Sequence, residues 1–126
     1  MRPMNPHAID SLDTLRLRIR DFAQARAWDS YHTPKNLAMA LSVEAAELLE
    51  PFQWLTPEQS QHLSGPQHEA VRQEIADVLI YLTRLADVLD IDLLDAATDK
   101  LAINAQKYPI DKAHGIALKY SDFKHD

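Results

Sequence analysis

Apolar residues recur every three to four positions along most of the chain, which is the spacing of residues on one face of an α-helix. This pattern predicts helices over Ser11–Trp28, Pro34–Glu50, Pro57–His62, Gln67–Leu89 and Leu93–Tyr108. The scarcity of glycine, 2 in 126 residues, and the abundance of alanine and leucine favour helices over strands. We therefore expect an all-α fold, a four-to-five-helix bundle that assembles through helix packing.

Residues that can cap or stop a helix stand at most of the predicted boundaries. In chain order they are Asp10 or Ser11, Thr33-Pro34, Pro51, Thr56-Pro57, Asp92 and Pro109. A hydroxyl followed by proline is a strong helix start, because the hydroxyl caps free backbone N–H groups and the proline ring already has a helical φ. The segment Ser64–Gln67 combines serine, glycine and proline, and it is predicted to be a turn.

Length and composition indicate one domain, residues 1–126, with a helical core over about residues 10–109 and a polar, extended tail over residues 110–126. The net charge of −6 argues against binding to a nucleic acid polymer, and no apolar run is long enough to cross a membrane. The absence of cysteine excludes disulfides and thiolate catalysis. We expect a cytoplasmic protein, and the broad apolar stripes favour a homo-oligomer.

Two pairs of acids interrupt the apolar stripes of two long helices. Glu44 and Glu47 lie in "LSVEAAELLEPFQW", and Glu74 and Asp77 lie in "RQEIADVLIYL". Because residues three and four apart share a helix face, these carboxylates fall on the apolar side. Buried carboxylates are costly unless something positive compensates them. Their hard oxygen donors suit Mg²⁺, with Mn²⁺ as a further candidate, so the pattern predicts a magnesium site inside the bundle.

The spacing of these acids is also compatible with roles that need no metal. Acids spaced three apart are common on solvated helix faces. Lys35 and Arg84 are the nearest basic residues, and salt bridges across a subunit interface would also account for the acids. A di-iron carboxylate bundle is disfavoured, because it needs Glu-x-x-His motifs and the chain has none.

The acid pairs and their surroundings resemble a known protein family. The resemblance is carried by three blocks, "FAQARAWDSYHTPKNLAMALSVEAAELLEPFQW", "EIADVLIYLTRLADV" and "DKLAINAQKYP". Glu47 and Glu74 are 27 positions apart, which also fits. Together these features resemble the MazG-like superfamily of all-α nucleoside triphosphate pyrophosphatases, and in particular its dCTP pyrophosphatase branch.

This resemblance implies a Mg²⁺-dependent hydrolase that cleaves the α–β phosphoanhydride of a (deoxy)nucleoside triphosphate and releases a monophosphate and pyrophosphate. The expected substrate is dCTP or a modified pyrimidine deoxynucleotide, and the expected role is cleaning of the nucleotide pool. The resemblance also implies a homotetramer, a dimer of dimers, in which helices from two subunits complete each active site.

The family pattern assigns the metal ligands to Glu44, Glu47, Glu74 and Asp77, and either Glu44 or Glu47 is expected to accept the proton of the attacking water. The substrate-binding residues that the resemblance implies are Trp28, Trp54, Tyr81, Lys100, Asn104 and Lys107. Lys35 joins this set because a lysine in the first turn of a helix opposes the helix dipole and indicates a nearby anion.

Two positions depart from the family pattern. Some relatives carry a histidine near the base on the first helix, where this chain has Ile19, and Pro51 replaces a residue compatible with a helix. Both departures bear on which base is bound. His32, just before the Thr33 cap, is interpreted as a surface-loop histidine.

Two alternatives to an enzyme follow from the same acids. A non-catalytic helical oligomerisation or regulatory module would bind metal only for stability. An interaction protein would place the acids in interfacial salt bridges, and removal of metal would then change nothing.

Overall fold

A computed structural model describes residues 8–117 and 120–122 of the chain, and these residues form helices without strands. The helices are α1 (Leu12–Ala25), α2 (Pro34–Leu49), α3 (Pro57–Ser60), α4 (Gly65–Val88), α5 (Leu93–Lys107) and α6 (Ile110–Ala113), followed by a 3₁₀ turn at Tyr120–Asp122. The prediction of an all-α protein is therefore confirmed.

Side-chain caps begin α1, α2 and α5 as the sequence predicts. Ser11 accepts a hydrogen bond from the backbone N–H of Thr14, and Thr33 accepts one from Asn36, so α1 and α2 start at the expected residues. Asp92 caps α5 in the same way, through the backbone N–H of Asp95. Each cap satisfies an N–H group that has no partner inside its helix.

The segment Ser64–Gln67 starts α4 and is not a separate turn, so this prediction is wrong. The hydroxyl of Ser64 accepts from the backbone N–H of Gln67, and the side chain of Gln67 accepts from the backbone N–H of Ser64. Pro66 fits the first turn because N–H groups there have no helical partner to lose. This capping box lengthens α4 by two residues at its N-terminus.

Helix α1 ends at Ala25, three residues before the predicted end at Trp28. Ala27 takes the left-handed conformation, with φ of 52°. The backbone N–H of Trp28 then donates to the carbonyl of Ala23 at 3.0 Å, and the N–H of Ala27 donates to Gln24 at 3.0 Å. This is a Schellman motif, and it turns the chain out of the helix so that Trp28 stands in the connecting loop.

The prediction of an extended tail is wrong where the structure describes this segment. Residues Ile110–Ala113 form α6 directly after Pro109, whose carbonyl accepts from the backbone N–H groups of Lys112 and Ala113. Proline stops one helix and also suits the start of the next, and the sequence pattern alone indicates only the stop. Residues 118–119 and 123–126 of the predicted tail lie outside the described residues.

The chain divides into two compact units, one ending at Ile91 and the other beginning at Asp92. In the first unit, α4 packs against both α1 and α2. Among the described residues of this unit, the buried apolar side chains are Ala23, Leu37 and Ala86, a narrow core for three long helices. The prediction of a single domain over residues 1–126 stays a prediction.

Large apolar side chains remain exposed on all three long helices of the first unit. Those exposed on α1, α2 and α4 are Leu17, Phe22, Met39, Val43, Leu49, Ile75, Leu79, Ile80 and Leu82. Within the described residues, no helix combines the length and the hydrophobicity needed to span a membrane.

Candidate functional site

Three of the four predicted metal ligands converge between α2 and α4. Glu44 on α2 and Glu74 and Asp77 on α4 each offer a carboxylate oxygen, and these three atoms lie within 4.8 Å of one another. They meet because α2 packs against α4 and because Glu74 and Asp77, three residues apart, share a helix face. Glu47 is not part of this trio, although its carboxyl acts on the pKa values of Glu44 and Glu74.

Two oxygens of this carboxylate trio are buried without a hydrogen-bond partner among the described residues. They are Oε2 of Glu44 and Oε2 of Glu74. None of the ion pairs in the described part of the chain involves Glu44, Glu47, Glu74 or Asp77. Since unpartnered buried oxygens are costly, the arrangement fits a cation that would supply the missing contacts.

The same crowding raises the pKa values of two of these carboxyls. Burial raises the pKa of Glu44 to about 7, and the neighbouring carboxyl of Glu47 and the charges of Asp77 and Glu74 add to the effect. Burial also raises the pKa of Glu74, with the charges of Glu47 and Asp77 acting in the same direction. The trio is therefore a set of hard oxygen donors that a divalent cation would stabilise in the ionised form.

Replacing Glu44 with Gln should stabilise the metal-free protein more at about pH 8 than at about pH 5. Unfolded glutamate ionises near pH 4.5, whereas folded Glu44 keeps its proton until about pH 7. The wild-type protein therefore loses stability as the pH rises through this window, and the loss levels off above it. Glutamine has no proton to lose, so Tm measured in EDTA at the two pH values checks the effect.

The matched control for this experiment is Glu50→Gln at the C-terminal end of α2, where the side chain is exposed. Any change in Tm from Glu50→Gln should be small at both pH values, because the side chain is exposed. An equal gain for Glu44→Gln at the two pH values would contradict the assignment of the raised pKa to Glu44.

An aromatic cavity of about 220 Å³ adjoins the carboxylate trio. Trp28 from the loop after α1 and Tyr81 from α4 line it, and Asp77 of the trio lines it as well. Phe22 packs edge-on against Trp28 with ring centroids 5.8 Å apart, which holds the indole in place. Ile19, one of the two positions that depart from the expected family pattern, also lines this cavity.

A network of ion pairs behind the cavity was not predicted from the sequence. Asp87, with 5% of its side chain exposed, accepts hydrogen bonds from Arg16 at 3.1 Å and from Arg20 at 3.0 and 2.6 Å. Arg84 pairs with Asp87 at 3.4 Å and with Asp29 at 2.8 Å. These hydrogen bonds, that of Arg20 above all, lower the pKa of Asp87. Arg84 thus serves this network and does not neutralise the acids of the trio.

The interpretation of His32 as a surface-loop histidine is wrong. Its side chain is half-buried, lines the aromatic cavity and accepts a hydrogen bond at Nδ1 from Nε of Arg84 at 3.1 Å. The sequence gives only a weak indication that His32 lines the cavity. His32 follows Trp28 by four residues in the short loop between α1 and α2.

Two of the remaining predicted binding residues lie in the first compact unit but do not line the aromatic cavity. Trp54 is 87% exposed in the segment before α3, and Lys35 is exposed in the first turn of α2. Lys100, Asn104 and Lys107 lie on α5 in the second compact unit, Lys100 exposed and the other two half-buried. Their roles toward a substrate stay predictions.

Comparison with known proteins identifies relatives of this chain. The chain is 37% identical to dCTP pyrophosphatase 1 of Mus musculus over 123 residues, which span 96% of this chain and 72% of the relative. It is 38% identical to dCTP pyrophosphatase 1 of Homo sapiens over 117 residues, 91% of this chain and 69% of the relative.

A solved structure and a match to a protein family indicate the same relationship. A pyrophosphatase from Archaeoglobus fulgidus superposes with a TM-score of 0.75 at 41% identity, covering 84% of this chain and 99% of that one. Residues 39–123 match the MazG-like family. These residues include the carboxylate trio on α2 and α4, and the chain belongs to the MazG-like family.

Proposed function

We propose that this protein is a nucleoside triphosphate pyrophosphohydrolase that cleaves between the α and β phosphates and acts on dCTP or a modified pyrimidine deoxynucleotide. One observation carries the proposal. Asp77 belongs both to the carboxylate trio and to the lining of the aromatic cavity. A base held in the cavity would therefore place its phosphates beside the acids. The dCTP pyrophosphatases among the relatives support the choice of substrate.

The carboxylate trio would hold a divalent cation, Mg²⁺ in the first instance and Mn²⁺ as a further candidate. The fit rests on the two unpartnered oxygens and on the hard oxygen donors of Glu44, Glu74 and Asp77. A cation bound there would neutralise phosphate charge and lower the pKa of a coordinated water.

Glu47 is the preferred candidate for accepting the proton of the attacking water. Its carboxyl is near enough to raise the pKa of Glu44, yet it is not one of the trio that encloses the proposed cation. A carboxylate that is not needed as a ligand can accept a proton at the moment of attack. Glu44 remains the second candidate, because its carboxyl lies beside that of Glu47.

The other groups position the substrate in this proposal. Trp28 and Tyr81 would enclose the base, because both line the cavity. Trp54, Lys35, Lys100, Asn104 and Lys107 are proposed to contact the base or the phosphates, as the family pattern implies. Lysine and asparagine donors suit phosphate oxygens, and they would stabilise the leaving pyrophosphate.

We further infer that the protein works as a homo-oligomer, a dimer of dimers, in the cytoplasm. The support for assembly is the narrow core of the first unit and the large apolar side chains that stay exposed on α1, α2 and α4. Exposed apolar surface of this extent is typical of protein–protein contacts. The cytoplasm is proposed because it contains the nucleotide pool that such an enzyme would clean.

Incubation with a panel of canonical and modified nucleoside triphosphates and Mg²⁺ should release pyrophosphate, fastest from pyrimidine deoxynucleotides. Chromatography of the nucleotide product should show the monophosphate, because cleavage falls between the α and β phosphates. EDTA should stop the reaction, and Mn²⁺ should restore part of it.

The panel also separates the alternatives. A metal-stabilised oligomerisation module would gain Tm with Mg²⁺ but release no pyrophosphate. An interaction protein with salt-bridged acids would respond to neither Mg²⁺ nor EDTA. A clear preference for purines would contradict the proposed substrate class while leaving the reaction type intact.

A further inference from the structure

The α1–α2 loop, residues 26–33, is attached to α4 through one side chain. Nη2 of Arg84 donates to Oδ1 of Asp29 at 2.8 Å, and its Nε donates to Nδ1 of His32 at 3.1 Å. In the part of the chain that the structure describes, the hydrogen bonds and ion pairs that join this loop to α4 all come from Arg84. Loss of these contacts would therefore detach the loop from α4.

The helices leave Arg84 short of negative charge. Its guanidinium lies 3.4 Å from Asp87, but Asp87 also accepts from Arg16 at 3.1 Å and from Arg20 at 2.6 Å. Three guanidinium groups thus share one buried carboxylate. Asp29 supplies a further carboxylate from the loop, at a shorter distance from Arg84 than Asp87. Because only 7% of the Arg84 side chain is exposed, its charge depends on these partners more than on water.

We propose that Asp29 is a positioning residue whose ion pair with Arg84, which we name the loop latch, keeps the aromatic cavity closed by holding the α1–α2 loop against α4. Trp28 and His32 line the cavity from the loop, and Tyr81 lines it from α4. The cavity thus keeps its shape while the loop latch holds. The proposal rests on the proposed function, since this cavity is the one assigned to the base.

The exposure of the two partners makes the loop latch reversible. The side chain of Asp29 is 55% exposed, so water can replace the guanidinium as its partner. Arg84 keeps its contact with Asp87 when the loop leaves, so the packing of α4 need not change. Such an opening is local and requires less free energy than unfolding of the helices. A loop that opens in this way would control entry and release of the nucleotide.

Acrylamide quenching of tryptophan fluorescence tests the loop latch without turnover. The chain has two tryptophans, so Trp54→Phe leaves Trp28 to report alone. In this background Asp29→Ala should raise the quenching constant by about twofold, because the detached loop exposes the indole on its cavity side. Asp29→Asn keeps an oxygen acceptor without the charge, and its quenching constant should fall between the two.

The matched control is Asp21→Ala. Asp21 is an exposed carboxylate on α1 whose charge acts on Arg20 of the same network, and it lies outside the loop. Its loss should leave the quenching constant and the kinetics at their wild-type values. Asp29→Glu keeps the carboxylate on a longer side chain, and it should retain most of the effect of the loop latch.

Steady-state kinetics with dCTP connect the loop latch to the site. Asp29→Ala should raise KM by about 10-fold and leave kcat within about twofold, because fewer molecules would hold the closed loop while those that do would react normally. An unchanged quenching constant in Asp29→Ala would overturn the proposal, and so would an equal response in Asp21→Ala.

The direction of the kinetic change separates the loop latch from a general structural role. A fall in kcat at constant KM would contradict the proposal, because distortion of the site and not opening of the loop would then explain the loss. If the wild-type protein cleaves no triphosphate, the proposed function fails, and the quenching series alone then supports or overturns the loop latch.

Discussion

Pyrophosphate release from dCTP should fall at least about a thousand-fold when Glu74 is replaced by glutamine, equivalent to roughly 4 kcal/mol of lost transition-state stabilisation. Glu74 contributes one of the three converging carboxylates and one of the two buried oxygens without a partner. Glutamine keeps the shape but removes the charge, so the proposed cation would lose a ligand. Quench-flow or steady-state assays of pyrophosphate measure the loss.

Two further measurements show whether such a loss comes from the site. Glu74→Gln should keep its helical content and, without metal, have a Tm equal to or above that of the wild-type protein, because charge repulsion in the trio falls. Glu69→Gln lies on the same helix at an exposed position beside Arg72, and it should retain wild-type turnover. Wild-type turnover in Glu74→Gln would rule out the proposed role of the trio.

Asp87→Asn should destabilise the folded protein by about 3–5 kcal/mol and lower Tm by roughly 10–20 °C. Asp87 is the shared acceptor for Arg16, Arg20 and Arg84, and both Asp87 and Arg84 are nearly fully buried. Asparagine would present a donor to guanidinium groups that can only donate, and the buried charge of Arg84 would lose a partner. Thermal and urea denaturation at neutral pH measure the effect.

The matched control is Asp13→Asn, which removes an exposed partner of the same Arg16. Asp13 has 83% of its side chain exposed, so its loss should change stability by less than about 1 kcal/mol. Because the pKa of folded Asp87 is lowered, its contribution is present above the unfolded value near 3.8 and is lost as the pH falls through the folded value. The difference between wild-type and Asp87→Asn should therefore shrink in acid, and a difference independent of pH would contradict an electrostatic origin.

Local sequence patterns predicted the helices and the helix faces on which the acids lie, because both depend on residues close in sequence. Caps at Ser11, Thr33 and Asp92 act over three residues, and the structure has them where the sequence indicates. The in-phase acids on α2 and α4 needed only the 3.6-residue period and the packing of these two helices to come together. The same logic failed at Ser64, where a proline and a glycine suggested a turn although the capping box starts a helix.

The ion-pair network could not be derived in this way. Asp87 is 71 residues from Arg16 and 67 from Arg20, and Arg84 is 52 residues from His32. Charged residues of this kind are ordinary in a sequence, and only the packing of α1 on α4 shows which of them are buried together. The hydrogen bond from Arg84 to His32 is hidden for the same reason, since no local motif identifies this partner.

The left-handed conformation of Ala27 has a consequence for how this protein can evolve. Glycine at position 27 would relieve the strain of a positive φ but would also widen the unfolded ensemble, and these two effects are each about 1 kcal/mol or less and opposite in sign. The exchange should therefore change the overall stability little, but it should increase the conformational freedom of the neighbouring Trp28. In the proposed function Trp28 encloses the base, so substitutions at position 27 would change how firmly the base is held while the fold stays stable. Under that proposal, substrate range can diverge at this position before any residue that lines the cavity changes.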